Sequence, residues 1–225
     1  MYRIYICAVV TMLLLPAIAA ADATGIVVTG SGEVKAQPDI AYVTLGVNTQ
    51  SGDAAKAAKD NAGITNAVIA AVMKAGIAKD DIETADYSVN PIMDYKKSPP
   101  MTVGYNVSNR VRLTIRDMTQ VGSIIDIGVK AGANNVQGID FSIEDDTTLC
   151  RQALSNAVAQ AKSKANSMAE AAGVKLGRLI SMSEAGGYTP RPMLAGLAKS
   201  EAAPTPVIPG ELTVTASVTM VYAIL

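Results

Sequence analysis

Three arginines at two- and four-residue spacing are the side chains best placed to bind a ligand. Arg110, Arg112 and Arg116 alternate with other residues in a run typical of a β-strand, so they share one face, about 7 and 13 Å apart. A row of guanidinium groups would bind an anionic polymer or the carboxylates of a partner protein. The more ordinary interpretation, which we favour, is a solvated sheet face on which each arginine pairs with Asp or Glu of the next strand.

Most side chains that enzymes use for catalysis are scarce in this chain. It has 225 residues and no histidine, which removes Ser-His and Cys-His pairs, histidine bases and histidine-ligated metals. Gly30-Ser31-Gly32 begins like a dinucleotide-binding loop, but Lys35 occupies the third glycine position and no helical pattern follows. We therefore predict a protein that is not an enzyme, with no catalytic residues and no cofactor. A hydrolase that uses only carboxylates is kept as an alternative.

Acidic residues cluster at two places where a new element begins. Asp80 and Asp81 precede a predicted strand, and Glu144, Asp145 and Asp146 precede a predicted helix. Carboxylates at a helix start accept hydrogen bonds from free N–H groups and suit the helix dipole. Since the spacing of a calcium-binding loop is absent, we interpret these residues as caps and predict no metal site. The net charge of −1 argues against a nucleic-acid partner.

The first 21 residues have the layout of a signal peptide. Arg3 supplies a positive start, residues 4–15 are apolar apart from Thr11, and small residues follow Pro16. The apolar run is shorter than the ~20 residues that a membrane-spanning helix needs. We therefore predict cleavage of residues 1–21 and export of a single domain, residues 22–225, without a transmembrane helix.

Three segments have the three- and four-residue apolar spacing of helices. Each ends at Ala-Gly followed by an apolar residue, at Gly76, Gly132 and Gly173. Cys150 lies on the apolar stripe of the third segment, so we expect a buried thiol and not a reactive one. Met73 and Met168 lie on or beside such stripes, so we also expect them in the core.

Strands with alternating polar and apolar residues fill the spaces between these helices. They are predicted at 25–34, 41–48, 85–95, 103–116, 136–143, 176–184 and 212–224. The order β-β-α-β-β-α-β-α-β-β predicts an α+β fold, with three helices packed on a mainly antiparallel β-sheet. Residues 186–210 hold five prolines and form a Pro-rich loop, either a mobile surface loop or an arm that docks on a neighbour.

Several blocks, in the same order, resemble the SIMPL-domain family of exported bacterial proteins. The blocks that carry this resemblance are 30–34, 38–41, 45–47, 108–111, 124–126, 131–134, 138–141, 165–174, 176–178, 183–184 and 209–211. The resemblance implies an α+β fold, a location in the periplasm or at the outer membrane, and a role as an immunogenic antigen or in oxidative-stress defence. It implies no catalytic residues.

The predicted function is therefore that of a non-enzymatic, exported cell-envelope protein that acts through self-assembly or binding. Long strands leave edges that pair with other chains unless they are blocked, so we expect a homo-oligomer or a bound envelope component. The alternative is protection of the periplasm from oxidative stress, because methionine oxidation is reversible and surface methionines can consume oxidant.

Overall fold

The computed structural model describes residues 25–185, 191–192 and 207–225, so the predicted signal peptide and most of the Pro-rich loop lie outside the described residues. Within these ranges the chain forms two antiparallel four-stranded sheets and three α-helices. The strands are β1 (Ile26–Ala36), β2 (Ile40–Ser51), β3 (Ile82–Asp94), β4 (Met101–Ile115), β5 (Asn135–Ser142), β6 (Leu176–Glu184), β7 (Arg191–Pro192) and β8 (Leu212–Ile224). The helices are α1 (Ala54–Lys74), α2 (Val121–Lys130) and α3 (Thr147–Ala171).

The predicted α+β class and element order are confirmed, and the structure adds a division into two sheets. Sheet A has the order β1-β8-β6, with the short β7 also beside β8, and sheet B has the order β3-β4-β2-β5. Because β1 pairs with β8 along its whole length and not with β2, the two ends of the domain close one sheet. Each sheet then forms its own core with its own helices.

Sheet B is covered by α1 and α2. Its core consists of aliphatic residues of β2 and β4 packed against Val68 and Val72 of α1 and Ile124 of α2. Two polar residues, Asn61 and Thr65, lie on the buried face of α1. Asn61 donates from Nδ2 to the carbonyl oxygens of Val47, at 2.8 Å, and Val107. This amide satisfies strand carbonyls beneath the helix, which the apolar periodicity of α1 does not indicate.

Sheet A is covered by α3, which lies unusually close to the strands. Its buried stripe consists only of alanines: Ala153, Ala157, Ala161, Ala165 and Ala169. On the strand side, a Cβ atom at Gly30 or Gly32 would overlap the carbonyl oxygens of Ala157 and Ala153. The Gly-x-Gly sequence of β1 therefore serves close helix-on-sheet packing and not a phosphate loop.

The helix ends follow the predicted Ala-Gly pattern. Gly76, Gly132 and Gly173 have φ angles of 107°, 119° and 68°. After each glycine, the next N–H returns to a carbonyl of the last turn, as Ile77 does to Val72 at 3.2 Å. These are the left-handed helix ends that glycine adopts without a steric penalty, so this prediction is confirmed.

Candidate functional site

Arg110 and Arg112 lie on β4 beside acidic residues of β3. Arg110 Nη1 is 3.5 Å from Asp86 Oδ2, and Arg112 Nε is 4.0 Å from Glu83 Oε1. Arg112 also stacks on Tyr42 of β2, with its guanidinium carbon 4.0 Å from the ring centroid. Both arginines thus have the cross-strand acids that the ordinary interpretation requires. Binding of an external anion or partner at this face stays a prediction.

Arg116 lies one residue beyond the end of β4 and joins a separate ion cluster. Its Nη1 donates to Asp81 Oδ2 and its Nη2 to Glu144 Oε1, both at 2.6 Å. The hydrogen bonds from Arg116 lower the pKa of Glu144, and Glu144 and then Asp81 raise the pKa of Arg116. The Glu144 N–H also donates to Asp39 Oδ1 at 2.8 Å. The cluster therefore ties together the starts of β2 and β3 and the ends of β4 and β5.

The acidic residues before α3 divide between two roles. Asp145 Oδ1 accepts from the Thr147 N–H at 3.0 Å, and hydrogen bonds from Thr147 lower the pKa of this carboxyl group. The capping interpretation is therefore right for Asp145. It is wrong for the side chain of Asp146, which is the N-cap residue but makes no capping hydrogen bond. It is also wrong for Glu144 and Asp81, whose carboxylates pair with Arg116. Sequence spacing could not show these pairs, because their residues lie far apart in the chain.

No three His, Cys, Asp or Glu side chains within the described ranges are grouped as metal ligands would be. Cys150 is half-buried against the sheet A core. Burial, with the negative charge of Asp146, raises the pKa of its thiol. A thiol that stays protonated is a weak nucleophile, so Cys150 has the character of a packing residue.

The β1 edge of sheet A is capped by side chains of α3. The Ser31 N–H donates to Gln160 Oε1 at 2.8 Å, and Lys164 Nζ donates to the Thr29 carbonyl at 3.0 Å. One helical turn earlier, Asn156 Nδ2 donates to the Glu33 carbonyl at 3.3 Å. Three of the outward backbone groups along this edge are therefore already paired, and a further strand could not add at these positions without displacing side chains of α3.

The β6 edge of sheet A, unlike the β1 edge, is exposed. Leu179, Ile180 and Met182 are 39%, 47% and 54% exposed, and every residue from Arg178 to Glu184 is exposed. Among the described residues, β6 pairs only with β8, so its other edge carries no neighbouring strand. Helix α3 packs mainly on β1 and β8 and only marginally on β6. An edge strand of this kind has unpaired backbone groups beside exposed apolar side chains, which are the features that allow another strand to pair with it.

A second exposed surface is the outer part of the β3–β4 hairpin. Tyr105 pairs with Ser51, the last residue of β2, so Met101–Gly104 extends beyond β2 and pairs only with β3. Met101 and Val103 are exposed there. Tyr87 and Val89 are also exposed, but they lie further along β3, opposite the part of β4 that pairs with β2. The hairpin therefore adds apolar surface at the end of sheet B.

The SIMPL family model, described as a protein of unknown function (DUF541), matches residues 26–222. This chain belongs to the SIMPL family. It is 35% identical over 216 residues to the 26 kDa periplasmic immunogenic protein of Brucella melitensis, covering 88% of this chain and 84% of the relative. The Brucella abortus protein of the same name matches equally. The uncharacterized protein YggE of Escherichia coli K12 is 30% identical over 184 residues, covering 81% and 74%.

The location in the periplasm is confirmed, because the Brucella members of the SIMPL family are periplasmic by name and match most of this chain. In the part of the chain that the structure describes, no helix is both long and apolar enough to cross a membrane. The sequence resemblance to the SIMPL family is confirmed as well, and its blocks fall within the matched residues.

Proposed function

We propose that this SIMPL-family protein is a non-enzymatic component of the cell envelope that acts through self-assembly or through binding a partner at an exposed strand. The observation that carries the proposal is the β6 edge, where seven consecutive residues from Arg178 to Glu184 are exposed and three of them are large and apolar. The β1 edge of the same sheet is capped by α3. Selective capping of one edge supports a binding role for the other.

The ionisable groups support a binding role over a catalytic one. Arg116, Asp81 and Glu144 form an ion cluster, and Arg110 and Arg112 have acidic neighbours on β3. These side chains hold strands to one another. The exposed hairpin residues Met101 and Val103 add a second surface through which a partner could be bound.

The test is the solution mass of the mature chain, residues 22–225, measured by light scattering over a concentration series in the micromolar range. We expect a discrete multiple of the chain mass, because closed symmetric assemblies are the usual result of self-complementary surfaces. Removal of residues 187–209 then tests whether the Pro-rich loop contributes to assembly. A clean monomer that captures no envelope component would contradict the proposal.

A second candidate function is oxidative protection, and one observation favours it. Met73 and Met168, expected in the core, are 41% and 49% exposed, so that prediction was wrong. Both lie at the flanks of their helices, beyond the width that the sheet covers. Met101 and Met182 are exposed too, and exposed methionines are accessible to peroxide and reducible again by methionine sulfoxide reductases.

The methionine hypothesis is tested by replacing these four residues with leucine. The variant is expressed in a strain that needs this protein to survive hydrogen peroxide, and survival in peroxide is measured. We expect lower survival if the methionines consume oxidant. The control is Met220→Leu, since Met220 is buried and should oxidise slowly. Unchanged survival of the fourfold variant would exclude this mechanism.

Two further predictions concern the envelope and catalysis. Contact with the outer membrane is tested by sedimentation of the mature chain with outer-membrane vesicles. The hydrolase alternative is tested by screening the pure protein against ester, glycoside and peptide substrates.

A further inference from the structure

We propose that the end of the β3–β4 hairpin binds the surface of an anionic phospholipid membrane. The part concerned, residues 92–104, is called the distal ribbon. The proposal rests on the proposed function, binding within the cell envelope, and names a partner for the second exposed surface. It is supported by the projection of the ribbon, by its exposed side chains and by its charge.

The distal ribbon projects beyond the end of sheet B. Ser51, the last residue of β2, pairs with Tyr105, and Asp94 pairs with Met101 four residues further out. Four residues of strand span about 13 Å, so β3 and β4 extend that far with no third described strand beside them. The Thr49 hydroxyl donates to the Ala57 carbonyl at 2.9 Å, so α1 begins beside β2 and not beside the ribbon. A flat surface can therefore reach the tip of the hairpin.

The exposed side chains of the ribbon combine an aromatic ring, apolar groups and two ammonium groups. Tyr95 is 79% exposed, and Met101 and Val103 are exposed too. Lys96 and Lys97 follow Tyr95 directly, are exposed, and form no ion pair with any described residue. Tyrosine rings favour the level of the lipid headgroups, and the long lysine stems let the charge reach the phosphates while the stem contacts apolar groups.

The ribbon has a charge opposite to that of the whole chain. Residues 92–104 contain two lysines and one aspartate, which gives +1, whereas the chain carries −1. Lys96 and Lys97 are the only two consecutive basic residues in the sequence. The aspartate has a local role, because Asp94 Oδ1 accepts from the Lys96 N–H at 3.0 Å and shapes the turn. The two lysines are thus the charges that the tip presents to a partner.

The opposite end of β3 is acidic. Residues 79–83 contain three carboxylates, Asp80, Asp81 and Glu83, and one lysine, and they lie about 40 Å from Asp94 along the strand. An anionic surface repels this end and attracts the lysines at the tip. Both effects favour the same orientation, with the ribbon toward the surface.

The backbone of the ribbon limits how deeply it can bind. A ribbon of two strands has backbone groups along both outer edges that no strand pairs with. Such groups are not tolerated in the hydrocarbon of a bilayer, where water cannot bind them. We therefore expect shallow binding, with Tyr95 and its apolar neighbours among the headgroups and Lys96 and Lys97 at the phosphates.

Vesicle binding by the mature chain, residues 22–225, tests the proposal. We expect sedimentation with vesicles that contain phosphatidylglycerol, weaker binding as salt is raised, and little binding to pure phosphatidylcholine. Lys96→Glu/Lys97→Glu should weaken binding at least about thirtyfold. The control Lys74→Glu/Lys79→Glu makes the same charge change at two exposed lysines near the other end of β3 and should bind as the wild type does. Equal loss in both variants would overturn the assignment to the ribbon.

A tryptophan locates the contact, because the chain has none of its own. In Tyr95→Trp, the emission should shift to shorter wavelength when phosphatidylglycerol vesicles are added. In Tyr87→Trp, which alters an exposed residue about 25 Å away on β3, the emission should not change.

Vesicle binding without a shift at position 95, or no vesicle binding by the wild type, would overturn the inference. Either result leaves the proposed function standing, because self-assembly and protein partners are tested separately by light scattering and capture.

Discussion

The two edges of sheet A have the same backbone chemistry and are treated in opposite ways. Along β1, Gln160 and its neighbours one turn away on α3 bond to the outward-facing backbone groups. Along β6, the side chains from Arg178 to Glu184 are exposed, and no described strand lies on the side of β6 that faces away from β8. A single helix is about 10 Å wide and strands are about 4.8 Å apart, so α3 can cover only two of the three long strands. The placement of α3 over β1 and β8 therefore decides which edge is free.

The largest expected effect comes from moving α3 off β1. Gly30→Val places side-chain atoms where the Ala157 carbonyl and Ala161 lie, so the helix must shift. We expect a loss of about 3 kcal/mol in the free energy of unfolding, measured by urea titration. The control is Gly63→Ala, where the added Cβ has no neighbour within 4 Å and should stabilise α1 by up to about 1 kcal/mol. Equal stability of the two variants would show that close approach of α3 is not required.

A smaller effect should follow from removing the caps while leaving α3 in place. Replacing Asn156, Gln160 and Lys164 together by alanine removes four exposed hydrogen bonds to β1, three to its backbone and one to the Ser31 hydroxyl. We expect a loss of about 2 kcal/mol and additional, concentration-dependent association through the newly freed edge. Association is measured by light scattering and compared with that of the control Ser155→Ala/Ser163→Ala, which alters two exposed serines of the same helix. The comparison separates exposure of the β1 edge from a general effect on α3. If the triple variant associates no more than this control, capping does not block the β1 edge.

The smallest expected effect is a difference in pH dependence. It compares the hydrogen bonds from α3 to β1 with the ion cluster of Arg116, Asp81 and Glu144 beside sheet B. Hydrogen bonds from Arg116 hold the pKa of Glu144 below its usual 4.5. Ionised Glu144 therefore favours the folded state above pH 4.5, and this contribution is lost as the pH falls through the lower folded-state pKa. Between pH 7 and 3.5, the urea midpoint should fall more for the wild type than for Glu144→Gln.

The β1 caps provide the internal control for that titration. Two of the three capping side chains are neutral amides and the third is a lysine, so none of the three is a carboxylate. The triple alanine variant should therefore show the same pH dependence as the wild type. If the urea midpoint of the triple variant depended more or less steeply on pH, titrating groups would contribute at the β1 edge. The contrast between the β1 caps and the Arg116 cluster would then be wrong.

Much of the fold could be predicted from sequence because it depends on local patterns. The last strand was predicted at 212–224, as observed, and the helix ends at Gly76, Gly132 and Gly173 match. Periodicity failed for Met73 and Met168, since it identifies the apolar side of a helix but not how wide a strip its neighbours cover. It also missed the buried Asn61, because a polar residue on a buried face depends on strand carbonyls that the sequence does not show.

The candidate surfaces were less predictable than the elements. The strand 176–184 was predicted correctly, but nothing in its residues shows that it lies at an edge. Arg116 and Glu144 were assigned to a strand face and a cap, and the structure joins them at 2.6 Å. Both findings depend on the order of strands in the sheets, which the alternation of polar and apolar residues does not encode.

By itself the sequence determined the α+β class, the order of elements, the ends of the helices and membership of the SIMPL family, because each is carried by neighbouring residues. Only the tertiary structure decided that β1 pairs with β8, that two sheets form, and that α3 caps one edge and leaves the other open. The physical reason is the distance along the chain: Ser31 and Gln160 are 129 positions apart and meet only when α3 packs on β1 in the sheet A core.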